Sequence, residues 1–309
     1  MPGVTAVVPT LAPRPELGIV LDELAKVPVD EVIVVENGPN PVLESRDDVR
    51  ILRPGRNLGI AARNLAAREA VHELLLMLDD DSYPLAGAVE TLVEAFDRQP
   101  RLGVAAGLVR DVDLETGSET ERGTNTFDFW LGDPAHPNDE VPAFHFPLGA
   151  CLIRREALLD VGGFFEGYFH TNAELDLATR MIAAGWDVRY LPTAKFVHLK
   201  AKTGRDKAAV LRLRIRNQVW YFYRHFPASV AARRIPAYLA FDLIESAKTR
   251  ALGSWAGGVR DAWRDRPQVQ GTRRPLPRDV LRRAELNRGR RHLRLLADRA
   301  ARYARFRRT

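Results

Sequence analysis

Residues 73–81 read ELLLMLDDD, in which five consecutive apolar residues, Leu74 to Leu78, run straight into Asp79, Asp80 and Asp81. A short continuous apolar run with an abrupt polar end is the mark of a strand buried on both faces. Three adjacent carboxylates at its end repel one another, so something positive is expected beside them.

The same pattern recurs along the first two thirds of the chain. VTAVVPT (4–10), DEVIVVENG (30–38), VRILRP (49–54) and LGVAAGLVRD (102–111) read as strands. Between them, PELGIVLDELAKV (15–27), GIAARNLAAREAV (59–71) and AGAVETLVEAFDRQP (86–100) read as helices. This alternation predicts a mostly parallel sheet covered on both faces. Ligands of such sheets bind beyond the carboxyl ends of the strands. Thr10, Glu36, Asn57 and the three aspartates all fall at such ends, which makes them one candidate cleft. Residues 112–147 are rich in Gly, Pro, Asp, Asn and aromatics and read as an ordered but irregular excursion. PLGACLIRREALLDVGGF (147–164) returns to strand then helix, NAELDLATRMIAAGW (172–186) is an amphipathic helix, and DVRYLPTAKFVHL (187–199) reads as two short strands. Beyond about Lys200 the pattern is helical and basic.

Charge is distributed unevenly. From Arg260 onward there are 17 arginines against 5 acidic residues, so within a net charge of +6 the tail carries about +12 and the remainder about −6. One cysteine, Cys151, excludes an internal disulfide. Residues 1–10 lack the pattern of a signal peptide, and no apolar run approaches the roughly 18–20 residues that span a bilayer. The expectation is a cytoplasmic protein, with a peripheral seat on the inner face of the cell membrane as an option. LRLRIRNQVWYFYRHFP (211–227) and RRHLRLLADRAARYARFRR (290–308) mix arginine with large apolar residues. Such faces suit an anionic membrane surface or a partner subunit. Nucleic acid is the less favoured partner for the basic tail.

Three constellations carry chemistry. If the chain is still extended, Asp79 and Asp81 point to one side and can share a hard divalent cation with a diphosphate; an isolated DDD also suits a solvated loop or a helix N-cap. Glu174 and Asp176 stand near the start of a helix, with Arg180 spaced to pair with Asp176. Glu174 can serve there as a general base, although a surface helix with an acidic first turn shows the same pattern. His198 follows a strand and can complete an Asp/Asp/His ligand set, or be purely structural.

These stretches in this order resemble family 2 glycosyltransferases, in particular the rhamnosyl- and galactofuranosyl-transferase-like branch. The likeness rests on VVPTL, VVENG, NLGIAARN, LLMLDDDS, GACLIRREALLDVGGF, AELDLATRMIAAGWDVRYLP and FVHL, and covers roughly residues 4–200. It implies a GT-A fold, a mostly parallel mixed α/β sheet flanked by helices. Residues 1–200 would form the nucleotide-sugar-binding catalytic domain and 201–309 a helical, arginine-rich extension. The implied reaction is inverting transfer of a sugar from a dTDP-, UDP- or GDP-sugar to an acceptor hydroxyl on a glycan, glycolipid or secondary metabolite. Asp79, Asp81 and His198 would hold Mg²⁺ or Mn²⁺. Pro9, Thr10, Glu36, Asn57, Arg63, Asp79 and Asp80 would bind the nucleotide sugar, Gly149 and Arg180 would belong to the donor and acceptor pocket, and Glu174 with Asp176 would be catalytic. Two positions depart from the family pattern: Glu36 stands where aspartate is usual, and Ala173–Glu174 replaces a Glu-Asp pair. A sugar-1-phosphate nucleotidyltransferase would also use such a sheet with aspartates and Mg²⁺, but VVPTLAPRPELG lacks the Gly-rich stretch that cradles a triphosphate.

Overall fold

The apolar run at 74–78 becomes the middle of a ten-stranded sheet in the computed structural model, which describes residues 2–12, 14–121, 138–200, 206–277 and 279–281. In chain order the first half contains β1 (Val4–Thr10), α1 (Pro15–Leu24), β2 (Glu31–Glu36), β3 (Arg50–Leu52), α2 (Ala62–Glu69), β4 (Leu74–Met77), β5 (Ser82–Pro84) and α3 (Ala88–Arg98). There follow β6 (Leu102–Asp113), β7 (Glu119–Glu121), β8 (Val141–Pro142), β9 (Cys151–Arg154), α4 (Arg155–Asp160), α5 (Ala173–Ala183) and β10 (Asp187–Lys200). Helices α6 (Lys207–His225), α7 (Ala228–Lys248), α8 (Leu252–Arg264) and α9 (Pro267–Gln270) come last.

The main strand order is β3-β2-β1-β4-β9-β6-β10-β5. Strands β1 to β4 are mutually parallel, β9 is inserted antiparallel to both β4 and β6, and β10 runs parallel to β6. The sheet is therefore mixed, with its parallel half at the amino-terminal side. Helices cover both faces, and β4 shows why its sequence is apolar throughout. Leu75 and Met77 enter one core, with residues of α2, α5 and α6, while Leu74 and Leu76 enter the other, with residues of α1 and α3. An alternating strand would leave one of those faces polar.

The stretch 187–199, expected as two strands, is one strand with an interruption. Its register against β6 slips between Leu191 and Lys195, so Pro192, Thr193 and Ala194 bulge out of the ladder. Pro192 has no N–H to donate, which suits it to a bulge. Gly107 lies opposite and admits the bulge, because a Cβ there would stand 2.3 Å from the Ala194 carbonyl oxygen.

The aromatic side chains of α6 (Trp220, Tyr221 and Phe222), with Phe226 just beyond it, share a core with Leu175, Leu177 and Met181 of α5. The sequence division at residue 200 falls just before α6. Stretch 211–227 is thus packed against the sheet domain, whereas 290–308 lies outside the described residues, as does 122–137 of the irregular excursion. Among the described residues no helix is long and apolar enough to cross a membrane.

Gly107→Ala is expected to lower the unfolding free energy by about 1–3 kcal/mol in urea denaturation, because backbone and the Phe196 ring must move. Gly18→Ala, inside α1 with nothing within 4 Å of the added carbon, is expected to be neutral or stabilising by about 0.5–1 kcal/mol. Equal effects at the two positions would contradict this account of the bulge.

Candidate active site

Beyond β4 the backbone does not stay extended. Leu78 still donates to the Val7 carbonyl (3.1 Å), but the Ser82 N–H then turns back to the Asp79 carbonyl (3.1 Å). The Ser82 hydroxyl accepts from the Asp79 N–H (2.9 Å) and donates to the Gly149 carbonyl (2.8 Å). This turn sends the three carboxylates to three different partners. Asp79 meets the buried Arg63 guanidinium at 2.5 Å. Asp80 accepts from the Thr10 hydroxyl at 2.7 Å; burial raises its pKa against the pull of that hydroxyl and of Arg14. Asp81 turns inward, 3.5 Å from His198 Nε2 and 3.9 Å from Arg14. The mutual repulsion is met from within the protein, by Arg63 at Asp79 and by His198 and Arg14 near Asp81.

His198 stands between two carboxylates. Its Nδ1 lies 2.8 Å from Asp111, whose other oxygen meets Lys200 at 2.8 Å. The Asp111 carboxylate fixes the orientation of the imidazole and leaves Nε2 on the Asp81 side, the way a carboxylate orients a metal-binding histidine. Among the described residues no three His, Cys, Asp or Glu side chains form a ready-made cation cage. The donor set fits a hard divalent cation that arrives with oxygen ligands of its own, as Mg²⁺ and Mn²⁺ do with phosphates.

A cleft of about 420 Å³ opens at these strand ends. Of the residues singled out in the sequence, Pro9, Thr10, Asn57, Arg63, Asp79, Asp80, Gly149, Glu174 and His198 line it. A Cβ at Gly149 would stand 2.7 Å from Asp79 Oδ2, so a larger residue there would displace that carboxylate. Glu36, Asp81, Asp176 and Arg180 are not in its wall. Glu36 is buried and holds the following loop, accepting from the Val42 and Leu43 N–H groups and from Arg53. Burial opposes its charge, but those donors outweigh it and lower its pKa. The next residue, Asn37, lines the cleft instead, and its side-chain oxygen accepts from the Leu58 N–H at 2.8 Å.

Arg14, Asn37, His145 and His170 also line the cleft and were not singled out for it. The Asn-Gly turn after β2 was the one signal for Asn37. Burial holds the His145 imidazole down at about 4, so it is uncharged at neutral pH.

Helix α5 separates its two acidic residues by function of direction. Glu174 faces the cleft, and burial pushes its carboxyl up to about 7; nearby Asp79 adds to the rise and Arg63 opposes it. Asp176 is fully buried on the other side of the helix. It accepts from Arg180 Nε (2.8 Å) and is contacted by Arg224 and by His225 Nε2 (2.6 Å). Burial works against that charge, yet Arg180, His225 and Arg224 hold the carboxyl far below its ordinary range. Arg180 also donates to the Val161 carbonyl. The loop entering α5 is held by α6: Asn217 Nδ2 donates to the carbonyls of Tyr168 (2.9 Å) and Thr171 (2.7 Å). Phe169 and Asn172 have φ of 62° and 68°, left-handed values that such anchoring has to maintain. A cleft-wall carboxyl titrating near neutrality can take a proton from a bound hydroxyl.

Comparison with known proteins adds to the geometry. The profile described as Glycosyl transferase family 2 matches residues 5–162. An N-acetylglucosaminyl-diphospho-decaprenol L-rhamnosyltransferase of Mycobacterium tuberculosis is 31% identical over 244 residues, covering 65% of this chain and 78% of the relative. A pre-mycofactocin glycosyltransferase of the same organism is 31% identical over 176 residues, 54% of this chain and 37% of that protein. Among solved structures, GalNAc-T7 with UDP, GalNAc and Mn²⁺ superposes with a TM-score of 0.59 at 13% identity, over 72% of this chain and 50% of that one. A mannosyltransferase from Pyrobaculum calidifontis in complex with GDP-Man and Mn²⁺ gives 0.52 at 20% identity, over 84% and 75%.

Asp176→Asn is expected to cost about 3–5 kcal/mol in urea denaturation, because it leaves the buried Arg224 charge and the partly buried Arg180 charge uncompensated. A loss below about 1 kcal/mol would mean that the cluster does not hold α5 to α6.

Proposed function

The chain belongs to glycosyl transferase family 2 and has the GT-A fold, and from that premise we propose an inverting, metal-dependent transfer of a deoxyhexose from a nucleoside-diphosphate sugar to a hydroxyl of a polyprenyl-diphosphate-linked saccharide. The observation that carries the proposal is Glu174, a cleft-wall carboxyl held at about 7 within the field of Asp79. The rhamnosyltransferase-like relative supports the sugar and acceptor class. The nucleotidyltransferase alternative finds no support in these comparisons.

In this reading Thr10, Asn37, Asn57 and Asp80 bind the nucleoside, and Arg63 and Asp79 orient the diphosphate end of the cleft. Asp81 and His198, with Asp79 at the rim, would hold a divalent cation, whose Lewis acidity would stabilise the leaving diphosphate. Glu174 accepts the acceptor hydroxyl's proton as that oxygen attacks C1 from the face opposite the leaving diphosphate, so the anomeric centre inverts. Asp176 positions α5 and takes no proton, since its charge is already matched. In this reading residues 1–200 are the catalytic domain and 201–309 a helical extension whose α6 braces the catalytic helix.

A base works deprotonated. With a carboxyl raised to about 7, kcat/KM is expected to climb as pH rises through that value and to level above it. Glu174→Gln is expected to lower kcat at least about 10²-fold, to abolish the rising limb, and to leave donor affinity nearly unchanged. The measurement is a pH–rate profile with a panel of dTDP-, UDP- and GDP-sugars in Mg²⁺ or Mn²⁺. Near-native turnover of Glu174→Gln would remove Glu174 from the role.

A further inference from the structure

Helix α7 has its polarity reversed for a helix on a protein surface. Its buried positions are Ala231, Asp242 and Ser246. Phe241, Leu243 and Ile244 are instead 53%, 39% and 57% exposed. Every exposed residue from Pro236 to Ala247 is apolar. Rotation of the helix does not resolve this, because its inner face is fastened. Asp242 pairs with Arg214 of α6 at 3.3 Å, and Trp255 of α8 donates to the Leu239 carbonyl at 3.1 Å. The Tyr238 ring packs against Phe222.

The ends of this stripe are basic. Arg233 is exposed before it; Lys248 and Arg250 are exposed after it, Lys248 sharing its charge with Glu245 at 2.8 Å. Arg233 and Lys248 are separated by roughly 22 Å along the axis at the rise of an α-helix. Leu252, 47% exposed, continues the apolar surface at the start of α8. An apolar face flanked by cations, whose one partly exposed carboxylate, Glu245, is paired with Lys248, complements an anionic lipid interface. A second copy of this chain fits worse: antiparallel pairing of the helix sets Arg233 against Lys248 and Arg250, and parallel pairing sets each against itself.

We propose that the outward face of α7 seats the protein on an anionic bilayer. The proposal goes beyond the transfer reaction and does not rest on it, because lipid vesicles holding neither donor nor acceptor test it. The full chain is sedimented with vesicles of phosphatidylglycerol and phosphatidylcholine in equal parts, and with pure phosphatidylcholine. Binding to the mixed vesicles is expected to be stronger and to weaken with salt. Phe241→Glu combined with Ile244→Glu is expected to reduce it by at least about tenfold with an unchanged melting temperature, since both side chains are exposed. Should that variant melt early, Arg233→Gln with Arg250→Gln supplies the second arm, with reduced affinity and a shallower salt dependence expected. Undiminished binding by a folded variant would overturn the proposal and move the attachment elsewhere in the chain. So would a wild-type dimer in light scattering that the glutamate variant converts to monomer, which would make the face a contact between copies.

Discussion

A carboxylate removed from water costs several kcal/mol unless positive charge or donors come to meet it. That requirement organises the carboxyl edge of the sheet. Asp79 is met by Arg63, Asp81 by His198 and Arg14, and Asp176 by Arg180, Arg224 and His225. Among the described residues none forms an ion pair with Glu174. The consequence is chemical. Asp176 is held as an anion by its partners, while burial raises Glu174 to about 7 and makes it a group able to exchange a proton at neutral pH.

The two acidic residues of α5 show how a helix turns a spacing of two into a division of labour. At 100° per residue, positions two apart point nearly opposite ways. Glu174 reaches the cleft, and Asp176 reaches the core shared with α6. Helix α6 therefore does more than follow the sheet domain: its Asn217 fixes the loop before α5, and its Arg224 and His225 fix the helix itself. Rigidity at the base comes from contacts nearly fifty residues away in sequence.

Much of the architecture was legible because it depends on local pattern. Apolar runs alternating with helical periodicity led to the sheet, its carboxyl edge and a family likeness that the comparisons uphold. What was not legible depends on directions set at long range. The splaying of Asp79, Asp80 and Asp81 follows from a turn locked by Ser82 against Gly149. Glu36 faces away from the cleft because Arg53 and two backbone N–H groups claim it. The partners Arg224 and His225 belong to a stretch that, by composition, read as an exposed basic face. The antiparallel insertion of β9 between β4 and β6 leaves no mark in the periodicity of either strand.

The central claim is that Glu174 is a near-neutral carboxyl in the resting cleft, and carbon-13 NMR of glutamate-labelled protein tests it without any reaction. One carboxyl resonance, absent in Glu174→Gln, is expected to titrate with a midpoint at about 7. A midpoint for that resonance in the ordinary glutamate range, about 4.3, would contradict the account.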